Sequence, residues 1–321
     1  MKSIIVFMIA YNQEKIISRA LDSILCQKEW GLKEILIGDD ASTDNTYGVL
    51  CQYKEKYPEY IRIIRNEKNM GIYQNLANII ANRGESDFYT SCAGDDSFCE
   101  GYFEAFQKLA EEKNIDANHK VGVFSDWITV TPKGVEKVFK QDLCLTDYNL
   151  WSLYIRGKIS TRSLLIARPI IDAVGEVDMS HGLLFAESIY DSRRIRLIEE
   201  KYYMPQATSK YYAGIGVSTK LNPRKSDYYT RQWKYKWEYY QNHFINNKKD
   251  SNYAKYELGK ADFYERPTLY KYLKTYFYYI KGQLPHCHNS IKSDFWRFGA
   301  MFKYLLKYYG KEVDYNMNEK S

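Results

Sequence analysis

The sequence predicts an α/β protein: a mainly parallel sheet covered by helices on both faces over residues 1–220, then a basic, Tyr-rich helical region over 221–321. Three observations lead there. Apolar, β-branched runs alternate with stretches of helical periodicity through the first hundred residues, with short connections, and such βα repeats build parallel sheets. Polar and acidic residues gather where several of those runs end, the edge at which open α/β sheets bind ligands. The composition also shifts along the chain. Residues 201–321 hold 22 Lys and Arg against 10 Asp and Glu, with 21 of the 32 tyrosines, whereas residues 1–200 hold 24 against 30. A region of net −6 is thus joined to one of net +12, and the two suit different partners.

The elements follow in order. "SIIVFMIAY" is a continuous apolar run, as in a strand buried on both faces. Its length, about eight residues, is too short to span a bilayer, and no small-residue cleavage site follows, so neither a signal peptide nor a membrane span is expected. A cytoplasmic protein, with access to the inner face of the cell membrane, is the expectation. "QEKIISRALDSILCQK" puts Ile16, Ile17, Ala20, Leu21, Ile24 and Leu25 on one helical face. "KEILIGDD" is a second strand, and "STDNTYGVLCQYKEKYP" a helix whose first turn Ser42 or Thr43 is placed to cap. "YIRIIRN" is a third strand, "NMGIYQNLANIIANRG" a helix stopping at Gly84, and "DFYTSCAGDDSF" a fourth strand. "VGVFSDWITVT" reads as a further strand with "PKGVEKVF" turning into its hairpin partner. "STRSLLIARPIIDAVG" is a strand or short helix ending near Pro169; "FAESIYDSRRIRLIEE" is an amphipathic helix; "YYMPQATSKYYAGIGVST" is a short strand and a Gly-containing loop. Beyond residue 222 the chain is helix-like, broken by Pro267 and Pro285 into three pieces. The six cysteines are scattered without a CxxC pair and read as reduced thiols.

Ala10, Tyr11, Asn12 and Glu14 follow the first strand, Asp39 and Asp40 the second, and Asp95 and Asp96 the fourth. A solvated turn explains one acidic strand end. Three on one sheet edge repel one another unless a cation or a hydrogen-bonding ligand compensates them. Neither GxGxxG nor GxxxxGK[ST] is present, so a bound nucleotide would have its phosphates neutralised mainly by metal. Mn²⁺ or Mg²⁺, held by one or two carboxylates plus substrate phosphates, suits Asp95 and Asp96. Asp39 and Asp40 suit the N–H of a uracil ring.

Those stretches, with "EILIGDDASTDNT", "RNEKNMGIYQNLANIIANRGESDFYTSCAGDDSF" and more weakly "FAESIYDSRRIRL", resemble family 2 of the glycosyltransferases, an inverting family with the GT-A fold. The resemblance covers roughly residues 3–100 plus 183–198. It implies that Ala10, Tyr11, Asn12 and Glu14 line the base and ribose pocket of a nucleotide-sugar donor. Asp40 would meet the base with Asp39 beside it, and Asn69 and Gly71 would form the N-x-G turn near the nucleotide. Asp95 and Asp96 correspond to the family's DXD region, with Asp96, or Asp95 with it, on the metal and the sugar diphosphate. Here the chain departs from the family, since Ala93 stands where the first aspartate is usual.

The family supplies its catalytic base from an "ED" pair at a late helix start. Glu187 takes the first position, Ser188 stands at the second, and Asp191 is the substitute one turn on. Gly214 and Gly216 resemble the loop that closes over diphosphate or acceptor. His286, Cys287 and His288 lack further spaced ligands and read as structural. The resemblance implies transfer to a glycan or lipid-linked oligosaccharide in bacterial surface polysaccharide synthesis. The aromatic, Lys-bearing tail suits an anionic membrane surface, packing on the catalytic domain, or a homodimer contact; it carries no nucleic-acid motif. A nucleotidyltransferase shares the strand-end acids but lacks its Gly-rich loop here, and a non-catalytic nucleotide-sugar-binding member is the other alternative.

Overall fold

The computed structural model describes residues 1–141, 149–176, 186–215, 227–282 and 298–308. The described residues of 1–181 and 186–221 form one compact unit, and those of 222–321 a second.

The first unit opens with β1 (Ile4–Ala10), α1 (Ile17–Leu25), β2 (Leu32–Asp39), α2 (Thr46–Lys56), β3 (Ile61–Arg65), α3 (Ile72–Ala81) and β4 (Phe88–Ser91). It continues through β5 (Ser97–Phe98), α4 (Tyr102–Glu112), β6 (Val121–Val130), β7 (Glu136–Phe139), α5 (Leu150–Ile155), β8 (Leu165–Ala167), α6 (Arg168–Ala173), α7 (Ala186–Leu197) and β9 (Glu200–Tyr212). One nine-stranded sheet runs β3-β2-β1-β4-β8-β6-β9-β5, with β7 on β6. β1 to β4 are parallel, and β8 enters antiparallel to both β4 and β6.

The parallel strands form because they can be buried on both faces. Ile4 to Met8 are all buried, and Ile17, Ala20, Leu21, Ile24 and Leu25 of α1 belong to the same core as alternate β1 residues. Register then fixes the functional edge. Ala10 pairs with Asp39, and Phe7 with Ser91, so the three acid-bearing ends leave the sheet side by side.

Four local expectations are corrected. Neither Ser42 nor Thr43 caps α2: Asn45 is the N-cap, while Asp44 Oδ1 accepts from Thr46 N at 2.9 Å and Glu14 Oε2 from Asn45 N at 2.9 Å. Carboxylates suit a helix N-terminus better than hydroxyls because its field is positive. α3 ends at Ala81, before Gly84. Pro169 starts a helix instead of ending one, because its missing N–H is unneeded in the first turn of α6. β9 runs 13 residues, far beyond a short strand, because it pairs with β6 along most of its length and with β5.

The second unit holds α8 (Asp227–His243), α9 (Lys248–Glu265) and α10 (Leu269–Gly282), with residues 298–308 also helical. Aromatic packing carries it: Trp237 lies edge-on to Tyr240 and Tyr253 at 5.3 and 5.7 Å between centroids. α8 and α9 break without proline, where Asn247 caps α9 by accepting from Asp250 N at 2.9 Å. Pro267 separates α9 from α10 as expected; Pro285, Gly216 and the His286–His288 trio lie outside the described residues.

Candidate active site

The loops after β1 and β2 are knitted together by the side chains expected to line a base pocket. Asn12 Oδ1 accepts from Thr43 N at 2.8 Å, and Asn12 N donates to Ser42 Oγ at 3.1 Å. Glu14 accepts from Asn45 N. Ala10 O accepts from Asp40 N at 2.9 Å, and Tyr11 is half-buried between these contacts. These acceptors therefore hold the backbone of the two loops together.

Asp40, expected to meet the base, is instead engaged by the protein. Its Oδ1 accepts from Asn66 Nδ2 at 2.9 Å and Met70 N at 2.8 Å, and its Oδ2 from Gly71 N at 2.8 Å. It is the clamp of the N-x-G turn. Asn69 Oδ1 also accepts from Gly71 N, at 3.2 Å. Gly71 has φ 85° and ψ 166°, a region open essentially to glycine alone. Asp39 is fully buried, with Arg65 Nε 3.2 Å from its Oδ2. That contact lies off the hydrogen-bond direction, so both Asp39 oxygens keep unmet acceptor capacity among the described residues.

At the end of β4 the arrangement differs. Gly94 lets the chain pass under the first loop, since a Cβ there would lie 2.2 Å from Gln13 Oε1. Asp95 presents its carbonyl to Arg19 Nη2 at 2.6 Å, while its carboxylate has no hydrogen bond or ion pair among the described residues. Asp96 accepts from Arg162 Nη1 at 3.3 Å and from Tyr212 N at 3.2 Å, both long. Burial pushes its carboxyl up to about 6; Arg162 pulls it down, Asp95 pushes it further up, and Tyr212 N–H and Arg19 pull it down. Two arginines are held here by aromatic faces, Arg162 at 3.9 Å over Tyr211 and Arg19 at 3.5 Å over Tyr212.

Asp96 shares a cavity of about 390 Å³ with Glu187, Asp191, Ser160 to Ser163, Arg194 and Ser209. α7 delivers the two acids. Glu187 is half-buried in its first turn. Asp191 accepts from Thr161 Oγ1 at 2.7 Å and from Arg194 Nη2. Both oxygens of this second base candidate are thus engaged, Oδ2 in holding α7 to the loop before β8 and Oδ1 in a pair within α7. Ser163 Oγ, Ser209 Oγ and Arg194 Nε line the same cavity, buried and without partners among the described residues.

A divalent cation suits the Asp95–Asp96 pair on its donor chemistry. One carboxylate is unbonded, and the other is desolvated and under-compensated. No group of three or more His, Cys, Asp or Glu that could hold a metal occurs among the described residues, so the remaining ligands would be water and substrate oxygen. Sequence reasoning missed Arg19, Arg162, Tyr211 and Tyr212. Arg162 has no periodic signal in "STRSLL", and Arg19 reads as the polar face of α1.

Residues 5–145 match the model of Glycosyl transferase family 2. An uncharacterised protein of Mycobacterium tuberculosis is 39% identical over 89 residues, 27% of this chain and 25% of that protein. A Bacillus subtilis protein named as the glycosyltransferase EpsE is 33% identical over 93 residues, 28% of this chain and 32% of that one. The chain thus spans a third or less of these curated relatives. Among solved structures, Staphylococcus aureus TarS 1–349 with UDP-GlcNAc superposes with TM-score 0.60 at 14% identity, over 86% of this chain and 79% of that one. The mannosyltransferase PcManGT of Pyrobaculum calidifontis, with GDP-Man and Mn²⁺, does so with TM-score 0.53 at 12% identity, over 95% and 83%. Residues 5–145, less than half of the chain, are thus similar to glycosyl transferase family 2, and the fold they open is the GT-A fold.

Proposed function

We propose that this chain is a metal-dependent inverting glycosyltransferase, moving a sugar from a UDP-sugar to a hydroxyl of a glycan or lipid-linked oligosaccharide in bacterial surface polysaccharide synthesis. One observation carries the reading: a single cavity at the carboxyl edge of the sheet joins a desolvated aspartate, a helix-start glutamate and three orphaned polar atoms. The donors bound by TarS and PcManGT support a nucleotide-sugar, and the Mn²⁺ of PcManGT supports a divalent ion.

Asp95 and Asp96 would hold Mn²⁺ or Mg²⁺, which when bound neutralises charge on the departing diphosphate. Arg19 and Arg162, fixed on their tyrosines, add positive charge beside that pair. Asp39, with acceptor capacity unmet, takes the base N–H, and Asp40 holds the turn at Asn69 and Gly71. Glu187 accepts the proton of the acceptor hydroxyl as its oxygen bonds to the anomeric carbon. The bond to the diphosphate breaks on the opposite face, and the nucleoside diphosphate leaves with the bonding electrons. Asp191 positions α7 through Thr161 and pairs with Arg194 within the helix.

Thermal-shift measurements test the donor. UDP with Mn²⁺ is expected to raise the melting temperature, a chelator to remove the shift, and Asp39→Asn to weaken it. Failure of every uridine nucleotide to shift the melt would overturn the UDP assignment. Glu187→Gln is expected to keep the donor shift while slowing transfer by roughly 10²–10⁴-fold. If Asp191→Asn loses transfer while Glu187→Gln keeps it, the base is Asp191.

A further inference from the structure

In the C-terminal unit the apolar side chains of α10 face the wrong way for a helix in water. Its inner face is made by Thr275, Tyr279 and Gly282, all buried. On the opposite side Leu273, Phe277 and Ile280 are 55%, 50% and 55% exposed, and Leu269, Tyr270 and Tyr276 extend the same stripe. The spacing 269, 273, 276, 280 is that of one helical line. The helix over 298–308 repeats the pattern: Phe298, Met301 and Leu305 are buried, while Phe302 and Leu306 are exposed. Ring contacts of Tyr272 with Phe298 at 6.1 Å and Phe302 at 5.8 Å bring the two helices together. Isolated exposed apolar residues are ordinary; two adjacent helices presenting them together form a patch.

The charge around the patch selects its occupant. Residues 269–282 and 298–308 contain five lysines and no Asp or Glu. Lys274, Lys281, Lys303 and Lys307 are exposed beside the apolar stripes. A second copy of this surface, related by a twofold axis, would bring lysines against lysines. An anionic bilayer accepts both features, apolar side chains at the acyl boundary and lysines reaching the headgroups, with tyrosines at the interface between them. No helix among the described residues is long and apolar enough to cross a membrane, so the contact is lateral.

We propose that α10 and the helix over 298–308 lie flat on an anionic lipid surface, with Leu273, Phe277, Ile280 and Leu306 inserted and the lysines on phosphate headgroups. The inference stands on this surface alone and is independent of the reaction. Flotation of the full chain with vesicles tests it. The chain is expected to float with vesicles of equal parts phosphatidylglycerol and phosphatidylcholine, to stay behind with phosphatidylcholine alone, and to dissociate as salt is raised. Leu273→Ser/Phe277→Ser/Ile280→Ser should weaken binding roughly tenfold or more at an unchanged melting temperature, because these side chains are exposed. Lys274→Ala/Lys281→Ala should weaken it roughly tenfold, most at low salt. Equal binding to both vesicle types, no binding to either, or undiminished binding by the serine variant overturns the proposal. A concentration-dependent dimer that the serine variant abolishes, without vesicle binding, assigns the face to a second copy and overturns it too.

Discussion

The tripeptide Gly-Asp-Asp occurs twice, at residues 38–40 and 94–96, each time at the end of a parallel strand. Both glycines are there for close approach: a Cβ would lie 2.3 Å from Asn75 Oδ1 at Gly38 and 2.2 Å from Gln13 Oε1 at Gly94. The acids behind them meet opposite fates. Asp40 is surrounded by three donors at 2.8 to 2.9 Å, and Asp39 faces an arginine. Asp95 has no side-chain partner among the described residues, and Asp96 has only two long contacts. A carboxylate compensated by its own protein, as Asp40 is, is architecture, while Asp39 beside it keeps unmet acceptor capacity. One left short of donors in a cavity favours whatever brings positive charge.

The largest effect expected from breaking this contrast is at Asp96. Asp96→Asn is expected to reduce donor turnover by roughly a thousandfold, measured as release of nucleoside diphosphate. The same change should stabilise the ligand-free protein. The Asp96 carboxyl rises from 3.8 unfolded to about 6 folded, so its stability contribution is full below pH 3.8 and lost as pH rises through about 6. At pH 8 the buried charge costs at most about 3 kcal/mol, which Asn, standing in for the neutral acid, avoids. Urea midpoints should therefore favour the variant at pH 8 and converge with wild type near pH 4. A variant less stable than wild type at pH 8 would show that Arg162 and Tyr212 compensate the charge after all.

Asp40 should behave the other way. Asp40→Ala strips acceptors from Met70 N, Gly71 N and Asn66 Nδ2 and is expected to cost about 2–4 kcal/mol in urea unfolding. Its destabilisation should persist across neutral pH, because the hydrogen bonds it removes are backbone and amide donors. If Asp40→Ala unfolds like wild type while losing the UDP shift, its role is at the base, as the sequence resemblance implied.

The contrast between the pairs was only half legible in the sequence. The strands could be read because parallel strands buried on both faces are written as unbroken apolar runs, and the acids at their ends were visible as residues. Their roles were not, because a carboxylate's role depends on which donors reach it. Those of Asp40 come from 26 to 31 residues away, and Arg162 reaches Asp96 from 66 away. Glu187 and Asp191 look equivalent on one helix until Thr161, from another loop, is seen to engage Asp191. Pro169 was misread for a local reason: the residue that ends one helix also suits the start of another.

The smallest effect sharpens the comparison from the backbone side. Gly71→Ala adds one methyl group in open space, with no atom within 4 Å of the new Cβ, so its cost is conformational alone. At φ 85° and ψ 166° that cost is about 1–3 kcal/mol. The chain can relieve it only by turning the Gly71 N–H away from Asp40, which the clamp resists. Wild-type Asp40 should therefore make the substitution more costly than it is in the Asp40→Ala background. A double-mutant cycle between the two positions is expected to give a coupling of about 1 kcal/mol. Additive costs would mean that the turn keeps its shape without the carboxylate, and that Asp40 is as available to a ligand as Asp95.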